Sequence, residues 1–130
     1  MKENEISSVN PLFTLHKLPF FSPEKCNEII KKACDANSWT TDGGRGYPTT
    51  DIPVGDIKNL DLSKEIREIS IQCANAYKLN GSIGVYDLFV VKYDADGQSS
   101  LDIHRDGSVL SFISLLSDPS DFEGGGTYYE

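Results

Sequence analysis

A histidine and an aspartate two positions apart, His104 and Asp106, are the residues of this sequence best suited to chemistry. If their segment is an extended strand, alternate side chains point to the same face. The imidazole and the carboxylate then share one face, while Leu101 and Ile103 point the other way, into a core. An imidazole nitrogen and a carboxylate oxygen placed in this way can bind one metal ion.

The same pair has a plainer interpretation, a strand-end histidine and a turn aspartate that are joined by a hydrogen bond. Arg105 lies between them and is expected to face away from the metal, where it would form a salt bridge. A protein-kinase catalytic loop also contains His-Arg-Asp, but it requires a leucine next and an asparagine five residues after the aspartate. Here Gly107 and Ser111 occupy those positions, so we reject that reading.

A metal site built from histidine and carboxylate side chains is typical of the non-haem Fe(II) oxygenases. In those proteins two histidines and one carboxylate hold one face of the iron and leave the other face open. His104 and Asp106 would supply one ligand of each kind.

The sequence around the pair carries further recognisable motifs. They are Phe89-Val90-Val91-Lys92-Tyr93, Gln98-x-x-Leu101-x-x-His104-x-Asp106-x-Ser108, the apolar run Leu110–Leu116, and Asp121-Phe122-Glu123-Gly124-Gly125-Gly126-Thr127. Together they resemble the catalytic half of the 2-oxoglutarate/Fe(II) dioxygenases, specifically the procollagen prolyl- and lysyl-hydroxylase group. Upstream, the stretch from Tyr47 to Ile52 is similar to a Pro-Thr-x-Asp-Ile stretch of the lysyl-hydroxylase branch.

This resemblance implies roles for four residues. His104 and Asp106 would be metal ligands, and Tyr93 would hydrogen-bond 2-oxoglutarate, with Ser111 in the same pocket. The alternative for Tyr93 is a core tyrosine whose hydroxyl is satisfied within the protein. The implied cofactors are Fe(II), the co-substrate 2-oxoglutarate and L-ascorbate, and the implied substrate is a lysine or proline of a peptide or protein.

The resemblance is incomplete after Asp106. The family has a second histidine there and, beyond it, a basic residue for the 2-oxoglutarate carboxylate. No His, Lys or Arg follows Asp106 in this sequence, and the other histidine is His16, far upstream. We therefore expect a C-terminally truncated, partial oxygenase domain that is inactive alone. The alternative is a non-catalytic remnant or binding module of the same fold.

The overall composition restricts the partners. The chain has 130 residues and a net charge of −8, from 12 basic and 20 acidic residues, which argues against nucleic-acid binding. No apolar run approaches membrane-spanning length, so no membrane partner is expected. The N-terminal residues lack the apolar core of a signal peptide, which predicts a cytoplasmic location. The three cysteines are then expected to be reduced.

The periodicity of apolar residues predicts an α+β fold in one partial domain, residues 1–130. A helical N-terminal part, about 12–80, should hold one helix from Ser22-Pro23 to Asn37 and another from Leu62 to Leu79. By resemblance, the remainder, about 84–130, is the incomplete barrel of a double-stranded β-helix (jelly-roll, cupin-like). The predicted strands are Leu12–Phe21, Thr49–Val54, Val85–Tyr93, Ser99–His104 and Val109–Leu116. Open strand edges of such a barrel would favour self-association.

Overall fold

The computed structural model describes residues 15–41 and 48–129. Its regular elements are two helices and two short strands, with single 3₁₀ turns at Val54–Asp56 and Pro119–Asp121. In chain order they are α1 (Pro23–Ala36), β1 (Asp51–Pro53), α2 (Ser63–Ala76) and β2 (Phe89–Val91). The described residues divide into two compact units, one within Phe21–Leu60 and Asp87–Glu130 and the other within Met1–Phe20 and Asp61–Tyr86.

Helix α1 begins and ends at the residues that the sequence predicts. The Ser22 side chain accepts a hydrogen bond from the Lys25 N–H at 3.2 Å, and proline occupies the first turn, where its missing N–H costs nothing. The helix ends at Asn37, whose φ of 48° is left-handed and whose N–H bonds the Ala33 carbonyl. The prediction of this helix is confirmed, and its buried face presents Ile29 and Ala33.

The N-cap gives a direct test of helix stability. Replacing Ser22 by alanine should lower the free energy of unfolding by about 1 kcal/mol, because the Lys25 N–H loses its acceptor. Urea unfolding followed by circular dichroism would measure the change. Ser82→Ala, a substitution of an exposed serine, is the matched control. Equal stability of the two variants would contradict the capping role.

Strands β1 and β2 pair in antiparallel fashion, with Asp51 opposite Val91, Ile52 opposite Val90 and Pro53 opposite Phe89. Backbone hydrogen bonds extend the pairing at both ends, from Lys92 N–H to the Thr50 carbonyl at 2.8 Å and from Val54 N–H to the Leu88 carbonyl at 2.9 Å. The hydrophobic core of this unit lies against the pair and contains Ala33, Ile52 and Ile57, with Ala36, Trp39, Leu60 and Val90 packed around them. The Lys92 ammonium lies 5.3 Å from the centre of the Trp39 ring, at cation–π distance.

Helix α2 belongs to the other unit. It confirms the second predicted helix but ends at Ala76, before the predicted Leu79, and the chain turns through a positive φ of 52° at Lys78. The Asp61 carboxylate accepts the Ser63 N–H at 2.9 Å at its start. None of the helices in the described part of the chain is both long and apolar enough to span a bilayer.

The predicted strands after Leu79 differ most from the structure. Val85–Tyr93 is a strand only over Phe89–Val91, and neither Ser99–His104 nor Val109–Leu116 forms one. An apolar pattern can favour an extended backbone, but a strand also needs a partner for its N–H and C=O groups. The described sheet has two strands and is open, and the double-stranded β-helix stays a prediction.

The same lack of partners leaves apolar side chains in solvent. Leu101 is half-buried, but Ile103 is 81% exposed, so the prediction that Ile103 points into a core is wrong for this structure. Val109 is 91% exposed and Ile113 69%.

Candidate metal centre

His104 and Asp106 converge even though no strand places them. The His104 Nε2 lies 3.3 Å from the Asp106 Oδ1. Two ligands about 2.1 Å from one ion and at right angles to each other lie ~3.0 Å apart, so the observed spacing suits a shared ion. Both side chains are partly open to solvent, 29% for the histidine and 46% for the aspartate, so an ion can reach them.

The other ring nitrogen of His104 is held by backbone. Nδ1 lies 2.8 Å from the carbonyl oxygen of Asp102, which can only accept a hydrogen bond, so Nδ1 carries the proton. In the neutral ring, Nε2 then presents its lone pair towards Asp106. Metal-binding histidines are commonly oriented by such a bond from the second nitrogen. A doubly protonated ring would instead donate from Nε2 to the carboxylate, which is the plainer interpretation drawn from the sequence.

Among the described residues, His104 and Asp106 are not part of a larger group of metal-ligating side chains. Across 15–41 and 48–129, no group of three or more His, Cys, Asp or Glu side chains is placed to hold a metal ion. His16 lies in the other unit, where its ring packs edge-to-face on Tyr77 with the centroids 4.9 Å apart. The described residues thus fit two positions of a three-ligand site.

Tyr93 and Ser111, the residues predicted to contact 2-oxoglutarate, lie on either side of the pair in sequence. Tyr93 follows β2 and is 52% exposed, and partial burial raises the pKa of its hydroxyl further above neutral pH, where a tyrosine is already a hydrogen-bond donor. The Ser111 Oγ lies 2.9 Å from the Ser108 Oγ. In the described structure neither hydroxyl hydrogen-bonds His104 or Asp106.

The Pro-Thr-Thr-Asp-Ile stretch is largely buried after its exposed proline. Thr49 and Asp51 are 2% and 1% exposed, and the Thr49 hydroxyl donates a hydrogen bond to the Asp51 carboxylate. The backbone of Asp51 pairs with Thr40 on one side and with Val91 on the other. This stretch is therefore held by hydrogen bonds of both its side chains and its backbone.

Gln98 is a residue whose role the sequence did not reveal. Its side-chain Oε1 accepts the Thr50 N–H, and its Nε2 donates to the Pro48 carbonyl at 2.7 Å. The signal available beforehand was its place in the motif Gln98-x-x-Leu101-x-x-His104, which suggested ancestry but no contact. A shallow cavity of about 270 Å³ lies beside it, lined by Pro48, Gln98, Ser100, Leu101 and Asp102.

Comparison with curated proteins finds similarity to procollagen lysyl hydroxylases. The chain is 30% identical over 125 residues to procollagen-lysine,2-oxoglutarate 5-dioxygenase 2 of Homo sapiens, an alignment that covers 83% of this chain and 16% of that protein. The Mus musculus protein of the same name is 28% identical over 125 residues, with the same coverage. A viral protein, the procollagen lysyl hydroxylase and glycosyltransferase of Acanthamoeba polyphaga mimivirus, is 27% identical over 126 residues, covering 86% of this chain and 14% of that protein.

These similarities support a distant relationship to the hydroxylases. The chain spans only 14–16% of the length of the curated relatives it matches, so the relationship concerns one region of those proteins. No protein-family model matches the chain. No solved structure matches it either.

Proposed function

We propose that the chain is part of a 2-oxoglutarate- and Fe(II)-dependent dioxygenase that hydroxylates a lysine or proline of a peptide or protein. The observation that carries the proposal is the convergence of the His104 Nε2 and the Asp106 Oδ1 at 3.3 Å. It occurs in a chain whose similarity to lysyl hydroxylases extends over most of its length. The same pair in an unrelated chain would more simply be a hydrogen bond.

In this proposal His104 and Asp106 hold the metal, and the Asp102 carbonyl orients the imidazole through Nδ1. A facial site needs one further protein ligand, which we place outside the described residues. Bound Fe(II) would couple the oxidative decarboxylation of 2-oxoglutarate to substrate hydroxylation, with L-ascorbate as the reductant that maintains it. The chain's own contribution is to fix two ligands and keep a side of the ion open.

Tyr93 and Ser111 are proposed to face the 2-oxoglutarate. The Tyr93 hydroxyl is protonated at neutral pH, as in an ordinary tyrosine, and burial raises its pKa further, so it can donate to a carboxylate oxygen. The Ser111 hydroxyl is now shared with Ser108 and can rotate to a new acceptor.

The charge of the region that contains the pair favours a cationic substrate. Residues 87–123 include eight Asp and Glu side chains against one Lys and one Arg. A negative field of this kind attracts cations, and salt screens it. A lysyl peptide therefore fits better than a prolyl peptide, in agreement with the lysyl hydroxylases among the relatives.

One observation favours a second candidate function, a binding module without catalysis. The described residues bring two metal ligands together and not three. A protein that kept the fold of an oxygenase but lost its third ligand would look the same in this region.

Two further proposals concern partners and location. Copies of the chain would associate through the open edges of the sheet, and the exposed Val109 and Ile113 side chains would add apolar contacts. A reducing compartment such as the cytoplasm suits the free thiols of Cys26, Cys34 and Cys73.

Turnover assays test the proposed enzyme. Residues 1–130 alone should release no succinate above the iron-only background with Fe(II), ascorbate, O₂ and 2-oxoglutarate, because two ligands fix the iron poorly. A fusion that continues the chain with the residues following the matching region of the human relative should release succinate. A lysyl peptide should stimulate succinate release more than a prolyl peptide does. Added salt should reduce this difference in succinate release between the two peptides.

The control in this assay is the Asp106→Ala version of the same fusion, which should be inactive. Succinate release that is equal with and without Asp106 would contradict the proposal. Release by residues 1–130 alone that is lost in Asp106→Ala would show that the site is complete within those residues.

A further inference from the structure

The side-chain amide of Gln98 makes hydrogen bonds to Thr50 and Pro48, which lie 48 and 50 residues before it in sequence. Its oxygen accepts the Thr50 N–H and its nitrogen donates to the Pro48 carbonyl. One side chain thereby satisfies a backbone donor and a backbone acceptor of the same short stretch, much as a neighbouring strand would. We infer that Gln98 is a positioning residue that fixes the segment carrying His104 and Asp106 to the Pro48–Thr50 stretch.

The stretch to which Gln98 is fastened is itself fixed. The Thr50 carbonyl accepts the Lys92 N–H at 2.8 Å, which continues the β1–β2 pairing. The next residue, Asp51, is 1% exposed and bonded to the Thr49 hydroxyl. A side chain attached here is held against backbone that is itself paired with a neighbouring strand.

Contacts also lead from Gln98 towards the metal ligands. Its Nε2 lies 3.4 Å from the Ser100 carbonyl, and Leu101 and Asp102 continue the wall of the same cavity. The Asp102 carbonyl in turn accepts a hydrogen bond from the His104 Nδ1 at 2.8 Å. The position of the imidazole therefore depends on the backbone between Gln98 and Asp102, and the side chain of Gln98 fixes the beginning of that segment.

This arrangement matters because the ligand segment forms no strand in the described structure. A turn holds the backbone of Gln98, whose carbonyl accepts the Asp94 N–H at 2.9 Å, but no strand of the described structure includes the residues from Ser99 to Asp106. The amide of Gln98 supplies the attachment that a ladder would otherwise give. The inference rests on the proposed metal-dependent function, since it concerns the placement of that site's ligands.

Two substitutions of Gln98 test its hydrogen bonds to Thr50 and to Pro48 separately. Gln98→Met keeps the length of the side chain and removes both hydrogen-bonding groups. Gln98→Glu keeps an acceptor for Thr50 and removes the donor to Pro48. Gln72→Met, on α2 in the other unit, is the matched control.

The experiment measures amide hydrogen exchange at Thr50 by NMR and Co(II) binding by titration with visible absorption, on the whole 130-residue chain. Gln98→Met should speed Thr50 exchange about three- to tenfold, weaken Co(II) binding by a similar factor and shift the Co(II) absorption bands. Gln98→Glu should keep most of the Thr50 protection and still weaken Co(II) binding. Gln72→Met should change none of the three.

The outcomes distinguish failure of the inference from failure of the proposed function. Faster Thr50 exchange with an unchanged Co(II) affinity and spectrum would limit Gln98 to a structural role and overturn the inference alone. Unchanged Thr50 exchange in Gln98→Met would overturn it as well. Equal Co(II) binding by the wild type and His104→Ala would refute the metal site itself, and the inference with it.

Discussion

Replacing His104 by alanine should abolish the binding of divalent metal by residues 1–130. The wild-type chain is expected to bind Fe(II), or Co(II) and Mn(II) in its place, weakly, through the His104 Nε2, the Asp106 carboxylate and water. The two protein ligands lie 3.3 Å apart, and removal of one leaves a single exposed carboxylate, which holds a divalent ion no better than many others on the surface. Titration calorimetry of both proteins would show the loss.

His16→Ala is the matched control for this experiment. It removes the chain's other imidazole, which packs on Tyr77 in the other unit, and should leave metal binding unchanged. If His104→Ala bound metal as well as the wild type did, the assignment of this site would be wrong.

Replacing Ile52 by alanine should cause the largest loss of stability. Ile52 is 0% exposed, lies in the centre of β1 opposite Val90, and packs with Ala33 and Ile57 in the core. Its truncation removes buried apolar surface and leaves a cavity where helix and sheet meet. The expected cost is about 3 kcal/mol in the free energy of unfolding, measured by urea denaturation.

Ile71→Ala is the matched control, because it makes the same isoleucine-to-alanine substitution at an exposed position. Ile71 is 54% exposed on α2, and its replacement should change the free energy of unfolding by less than about 1 kcal/mol. Similar urea midpoints of unfolding for Ile52→Ala and Ile71→Ala would mean that Ile52 does not lie in a packed core.

The helices could be predicted because their signals are local. Ser22 and Pro23 define the start of α1, Asn37 its end, and a stripe with helical spacing marks α2. The strands could not be predicted to the same extent, because pairing depends on residues distant in sequence. Val85–Tyr93 reads as one long strand, yet the structure forms a strand only over Phe89–Val91, paired with Asp51–Pro53.

The sequence indicated that His104 and Asp106 lie close together, but it did not indicate the contacts that hold their segment, and the metal site stays a prediction. The His-x-Asp spacing identified the pair, and the side chains do converge. The strand that was expected to place them is missing from the described structure, and the contacts that hold their segment come from Gln98 and the Asp102 carbonyl. Such contacts join a side chain to backbone that carries no sequence signal, so no pattern could have indicated them.

The packing of Trp39 gives the protein a built-in optical reporter. It is the single tryptophan of the chain, and it lies against the Ala33, Ile52 and Ile57 core beside the Lys92 ammonium. Its fluorescence emission therefore follows the melting of one unit, whereas helical ellipticity also includes α2 from the other unit. If the unfolding transitions seen by Trp39 fluorescence and by ellipticity coincide, both units unfold as one cooperative body. If the two transitions are separated, the units unfold independently and the stability of each can be measured.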